Sequence, residues 1–456
     1  MKRTNDLGKD KMFPLILRLA IPSMLAQLVN VLYSIVDRIF ISKMPDGDLA
    51  LAGVGVCGPI VTLITSFSYL MGLGGAPLLA MKMGEGDRKS GERILFNCFV
   101  MLVAISALLT AGFLIFKRQL LFAFGASNDS IVYSSDYMTI YALGSVFALL
   151  SVGLNSFITA QGFSGTAMMT VIIGAVTNVV LDPLFIFTFG MGVKGAAVAT
   201  VISQFLSALW AVLFLALSKR LEVRLKFQRL SWKLMSRVMR LGFSPFVIIA
   251  TDSVLTIVLN SVLQKTGGAQ GDIYVAAATI VVSYMQLILM PMGGLTMACQ
   301  PVVSYNYGAR NGARVKAAVR DAIIVMFCFT VTMAASQFLP QYFVRIFTEN
   351  PEVTAVAVKG MRVYTAGIVV LSMQYVGVDM LVALGKIGAA TFLSLFRKIL
   401  TITLTAVLPL FLGSFSAFYG EPIMDVASGV TATILFFIVL KHTLHERENS
   451  TEEIKV

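Results

Sequence analysis

The chain has 456 residues, 57% of them hydrophobic and only 13% charged, with a formal net charge of +12. Soluble domains carry about 25% charged residues, so a water-facing surface on every side is excluded. The positive charge does not point to nucleic acid either, because it sits in short loops between long apolar runs.

Those runs are long enough to cross the ~30 Å hydrocarbon core as helices. Period-two alternation of the barrel-strand kind is absent. Runs bounded by charges, Gly or Pro predict twelve helices, the first six over 12–42, 49–81, 94–116, 131–153, 164–190 and 194–218. The second six follow over 238–264, 273–305, 317–340, 354–384, 388–412 and 423–441. The first run is too long for the apolar core of a cleaved signal peptide and lacks a small-residue cleavage site. Basic residues crowd alternate loops: Lys2 to Lys11, Lys82 to Arg93, Lys219 to Arg240, Arg310 to Arg320, and Lys441 onward. The expectation is a multi-pass protein of the cell (inner) membrane with both termini cytoplasmic.

The chain also reads twice. Arg18-Leu19-Ala20-Ile21-Pro22 is echoed by Arg240-Leu241-Gly242-Phe243-Ser244-Pro245, Pro77 by Pro301, Gly84 by Gly308 and Gly162 by Gly385, all 222 to 224 positions apart. Pro183 and Pro409 match more loosely. Duplication in so apolar a chain points to a transporter whose substrate path runs between the halves. The expected fold is an all-α integral membrane protein with two six-helix bundles. An even helix count per copy relates them by a pseudo-two-fold axis along the membrane normal. The predicted organisation is a lobe over 1–218, a basic linker and hinge over 219–237, a lobe over 238–445 and a tail over 446–456.

An ionisable group in hydrocarbon needs a partner, a hydrated cavity or a function. The candidates are Asp37, Arg38, Asp182, Asp252, Asp379, Arg397 and Lys398. Asp37 lies ~9 Å inside the outer end of helix 1, Asp182 ~12 Å inside that of helix 5, and Thr200 ~9 Å inside helix 6. Asn178 precedes Asp182 by one turn on the same face, and Pro183 favours a bend beside it. Two carboxylates, an amide and a hydroxyl at one level suit a hard cation such as Na⁺. Carboxylates drawn together in low dielectric could instead take up a proton. The alternative is an Asp37–Arg38 pair near the interface, with Asn178 and Thr200 as packing residues.

The second half differs, since the repeat places Asn260 at the position of Asp37. Asp379 and Arg397, on consecutive antiparallel helices, are predicted to pair. Glu421 and Asp425 read as charges favoured at a helix N-terminus. Asp252 either lines a cavity for a cationic substrate or is a buried, hydrogen-bonded carboxylate. Met285, Met290, Met292 and Met297 read as packing more than as an adaptable ligand surface. Tyr33, Tyr69, Tyr137, Tyr141, Tyr284 and Tyr305 could offer cation–π contacts or simply pack. The candidates for a substrate cavity are Tyr33, Gln161, Asp252 and Met285. Cys57, Cys98, Cys299 and Cys328 read as small buried hydrophobes. No phosphate loop is present, His442 and His445 lie at the end of helix 12, and no nucleophile has a base, so no enzyme is expected.

These residues resemble a known pattern. Tyr33-Ser34-Ile35-Val36-Asp37-Arg38-Ile39-Phe40-Ile41-Ser42 is similar to the signature of the multidrug and toxic compound extrusion (MATE) family. So are Gln161-Gly162, Asn178-Val179-Val180-Leu181-Asp182-Pro183 and Gly195-Ala196-Ala197-Val198-Ala199-Thr200. The loops at Gly84 and Gly308 and the run Pro422-Ile423-Met424-Asp425 fit as well, over the whole chain in twelve-helix order. The first-half acidic site resembles the DinF-type branch. The resemblance implies a cation-coupling site at Asp37, Asn178, Asp182 and Thr200, which would be the Na⁺ ligands if Na⁺ is the ion. It implies two V-shaped lobes exchanging H⁺ or Na⁺ for organic cations or amphipathic toxins, with no other cofactor. A single chain supplies both lobes, so a monomer is expected. The rivals are a lipid-linked sugar flippase of the same superfamily, a membrane-embedded enzyme and a channel.

Overall fold

A computed structural model describes residues 5–44, 47–124, 126, 128 and 130–452. All regular structure among these residues is helical. Ten helices are long and apolar enough to cross a membrane, and two further spans are bent pairs, which makes twelve.

The first bundle contains α1 (Met12–Ser42), α2 (Gly47–Gly84), α3 (Arg88–Ala123), α4, α5 (Ser164–Pro183) and α6 (Val193–Leu217). The second contains α7 (Trp232–Thr266), α8 (Gly271–Gly308), α9 (Gly312–Ala335), α10, α11 (Ile387–Leu412) and α12 (Gly420–Glu452). Helix α4 has arms Ile131–Leu143 and Ser145–Ala160 bent by 56°, and α10 has arms Pro351–Tyr364 and Ile368–Ala383 bent by 51°.

The duplication explains why both bends occur in the fourth span. Gly144 and Gly367 stand 223 positions apart, each at a break. A Cβ on Gly144 would lie 2.5 Å from Val201, and one on Gly367 would lie 2.5 Å from Asp425. Val201 and Asp425 are themselves 224 apart, so the same contact recurs in each bundle.

The two bundles meet along α1, α2, α7 and α8. Glycines let their backbones touch there, the usual device where apolar burial cannot drive helices together in lipid. A Cβ on Gly242 would lie 1.9 Å from the Leu70 carbonyl oxygen, and one on Gly74 would lie 2.3 Å from that of Val238. Nearer the face that carries the basic loops, the repeat-related Gly84 and Gly308 pack on Tyr305 and Met81. The N-terminal segment spans the same seam. Asn5 donates to the Gly162 carbonyl at 2.9 Å, while the Leu7 carbonyl accepts from Asn306 at 2.9 Å and Arg314 at 3.2 Å. In the opposite half of α2, Gly55 and Gly58 have nothing within 4 Å.

The linker is shorter than the sequence suggests, because residues 232–237 already belong to α7. Residues 219–231 are non-helical and strapped to the first bundle. Leu225 N–H donates to the Leu215 carbonyl at 2.9 Å and Ser231 N–H to Asn97 Oδ1 at 2.8 Å.

Candidate functional site

Asp182 occupies the last turn of α5, where Pro183 removes a backbone donor and the chain passes into a π-type turn over Leu184–Thr188. The small run Gly195-Ala196-Ala197 lets α6 lie directly on that turn: a Cβ on Gly195 would sit 2.7 Å from the Phe185 backbone. Thr200 and Gln204, further along α6, are thereby carried alongside the end of α5.

Asp182 and Asn178 are buried, and the Asn178 amide donates to Asp182 Oδ1 at 3.1 Å. Asp37 arrives from α1, and its carboxyl is in hydrogen-bonding contact with that of Asp182. Thr200 joins at one remove, hydrogen-bonded to Tyr137, whose ring lies within electrostatic reach of Asp37. The structure thus brings Asp37, Asn178 and Asp182 together, with Thr200 linked to them only through Tyr137. Asp182 Oδ2 and Asn178 Oδ1 are buried and receive no protein hydrogen bond. Buried acceptors of that kind call for a proton or a cation.

The proposed cavity residues disperse. Tyr33 is half-buried and within electrostatic reach of Asp37, Asp182, Tyr69 and Tyr141. Gln161 instead caps the end of α4 at the basic face, where its Oε1 accepts from the Val223 N–H of the linker at 3.1 Å. Met285 is buried in the apolar core of the second bundle. The side chains of Arg38 and Asp252 lie outside the described residues.

Two second-half expectations are corrected. Arg397 does not pair with Asp379; it binds Glu421 at 2.5 Å and Asp425 at 2.9 Å. Depth is the reason. Arg397 lies ten residues into α11 and Asp379 only four from the end of α10, a mismatch of ~9 Å at 1.5 Å per residue. Asp379 hydrogen-bonds Thr296 on α8 instead. Glu421 and Asp425 do stand near the start of α12, but both are buried and serve as the counter-charges of Arg397. Cys328 is also exposed, unlike Cys57, Cys98 and Cys299.

The family model described as MatE matches residues 22–184 and 246–407, most of both bundles. The chain belongs to the MatE family. The two matched stretches begin 224 positions apart, the spacing of the internal repeat. The MatE chain is 22% identical over 433 residues to multidrug export protein MepA of Staphylococcus aureus (strain NCTC 8325 / PS 47), covering 94% of this chain and 95% of that one. It is 24% identical over 438 residues to MepA of Staphylococcus haemolyticus (strain JCSC1435), covering 94% of each. Among solved structures it matches an "outward-facing conformation of a multidrug resistance MATE family transporter of the MOP superfamily". The TM-score is 0.89 at 21% identity, with 97% of this chain and 99% of that chain covered. A crystal structure of MATE in complex with MaL6 matches with the same figures.

Sequence reasoning left the tyrosines of this MatE site undecided. Tyr137 and Tyr141 stack with ring centroids 6.3 Å apart, and Tyr141 hydrogen-bonds Thr65 on α2 and Gln204 on α6. Their i, i+4 spacing was the available signal, but it fits packing equally well.

Proposed function

We propose that the chain is a secondary antiporter that exports organic cations or amphipathic drugs in exchange for H⁺ or Na⁺. The observation that carries this reading is the Asp37–Asp182 pair. Two carboxyl groups from different helices meet in a pocket shielded from water, and their repulsion is relieved by one shared proton or one cation. The Asn178 amide holds Asp182, and the hydrogen-bonded Thr200 and Tyr137 lie within electrostatic reach of Asp37.

Coupling follows if the pocket holds its ion better in one lobe arrangement than in the other, since only differential affinity shifts an equilibrium. The basic face is the cytoplasmic one, and the state described is closed there by the glycine seam and residues 5–10. Ion binding from the opposite side would displace drug outward and drive the return to the arrangement open at the cytoplasmic face. Relatives named for multidrug export support this direction. A flippase for phosphate-linked sugars would want free basic side chains along its path, whereas Arg397 is neutralised by Glu421 and Asp425.

The test is uptake of a fluorescent organic cation into inverted vesicles and liposomes, with H⁺ and Na⁺ gradients imposed separately. Asp37→Asn and Asp182→Asn should each abolish gradient-driven transport while the protein still inserts. Retained uptake in either variant overturns the assignment.

A further inference from the structure

We propose that the groove between α9 and α12 at the basic face binds an anionic phospholipid of the adjoining leaflet. Its phosphate would rest on the basic rim and its acyl chains would run along the apolar walls. The groove measures about 920 Å³ and is formed where α9 and α12 both pack on α10. It lies in the second bundle, away from the Asp37–Asp182 pocket, and the inference depends only on the protein spanning a membrane.

Chemistry changes along the groove in one direction. Toward the middle of the membrane its walls are Ile324, Phe437 and Ile438, all exposed. Toward the basic face they become Lys316, Arg320 and Lys441, joined by His442 and His445. The two helices run antiparallel, so the basic ends of both lining stretches coincide at the membrane surface. A diacyl lipid has the same order of parts, an anionic head above two apolar chains. Basic pockets between helices on the cytoplasmic side are where such headgroups dock.

The rim keeps positive charge after its internal pairs are counted. Arg320 lies 2.9 Å from Asp321, while Glu446 is held by Lys386 at 3.4 Å and approached by His442 at 3.3 Å. Among the described side chains, Lys316, Arg320, Lys386 and Lys441 thus face the two carboxylates Asp321 and Glu446, a surplus of two charges without the histidines. Each basic residue near a membrane surface favours an anionic lipid about five-fold, less with salt screening, so roughly ten-fold selectivity is expected.

Ile324→Trp, made in full-length protein with Trp210 and Trp232 replaced by Phe, places a single indole in the groove. Reconstitution into vesicles containing brominated phosphatidylglycerol or brominated phosphatidylcholine, at matched fractions, reports which lipid sits beside it. The expected result is about ten-fold tighter association of the brominated phosphatidylglycerol, reduced to parity by Lys316→Gln/Arg320→Gln/Lys441→Gln and weakened by salt. A second reporter, Phe411→Trp near the opposite face, should show no headgroup preference. Equal quenching by the two lipids at Ile324→Trp overturns the proposal. So does a preference that survives the triple substitution, or one that appears equally at Phe411→Trp.

Discussion

Gly308→Ala should open the seam at the basic face. The added Cβ would lie 2.1 Å from the Met81 carbonyl oxygen and 2.8 Å from its carbon, where ordinary contact begins at 3.4 Å. Both obstacles are backbone, so no side chain can swing aside; α2 and α8 must separate by about 1.3 Å, the difference between 3.4 and 2.1. Overpacking of this kind costs about 1–3 kcal/mol, and only the closed arrangement bears it. The balance between closed and open should therefore shift by about 5- to 150-fold. Gly84→Ala, 2.0 Å from the Tyr305 carbonyl oxygen, strains the same seam from the other side. The double variant should add little, because one separation relieves both clashes. Spin labels at the exposed Lys89 and Lys316, in a background without Cys57, Cys98, Cys299 and Cys328, read the distance by double electron–electron resonance. A second, longer population should appear in each single variant and not in Gly55→Ala, whose Cβ meets nothing within 4 Å. A distance distribution unchanged in both Gly308→Ala and Gly84→Ala would refute the idea that this contact holds the face shut.

Removing the N-terminal strap by Asn306→Ala with Arg314→Ala should lengthen the same label distance, since both residues bind the Leu7 carbonyl. Arg397→Met leaves Glu421 and Asp425 buried without their counter-charge and should cost about 3–5 kcal/mol in unfolding experiments. Adding Glu421→Gln and Asp425→Asn should recover much of the loss, and no recovery would contradict the pairing. Asp87 caps α3 by accepting hydrogen bonds from the Ser90 side chain and from the Ser90 N–H at 3.1 Å, which together hold its carboxyl below the usual range. The cap is therefore fully present above the unfolded carboxyl pKa and is lost as pH falls through the lower folded value. Asp87→Ala should cost about 0.5–1 kcal/mol of local stability and remove that pH dependence, read by hydrogen exchange in the first turn of α3.

The sequence carried the fold because lipid leaves a helix few choices: long apolar runs between charged loops mark each span, and α1 begins and ends where its run does. The Asp37, Asn178, Asp182 and Thr200 group was legible for a related reason, since counting residues from a loop measures depth when rise per residue is fixed. Depth does not measure rotation about a helix. That is why Gln161 could be placed in a cavity when it faces the linker. Bends were equally hidden, because Gly144 and Gly367 look like any glycine until the neighbour pressing on each is known.

The repeat copies architecture but not chemistry, and the difference is physical. Both bundles hold buried carboxyl oxygens that no protein donor satisfies, Asp182 Oδ2 in the first and Glu421 Oε2 and Asp425 Oδ2 in the second, but in the first bundle the carboxyl group meets another carboxyl. In the second, Asp425 sits at the repeat position of Val201, and its negative charge and that of Glu421 are met by the fixed guanidinium of Arg397. A guanidinium stays charged at any physiological pH and cannot leave. A pocket closed by a permanent cation gains little from a proton or Na⁺, whereas two carboxyl groups in contact are relieved by one. Replacing Val201 by a basic residue should therefore bring a fixed cation to the first bundle, at a cost in stability because Val201 packs tightly on Gly144: Val201→Arg protein that still folds should be uncoupled from either ion gradient. An ion-coupled response preserved in folded Val201→Arg would mean that a fixed charge at this position does not take the place of the ion.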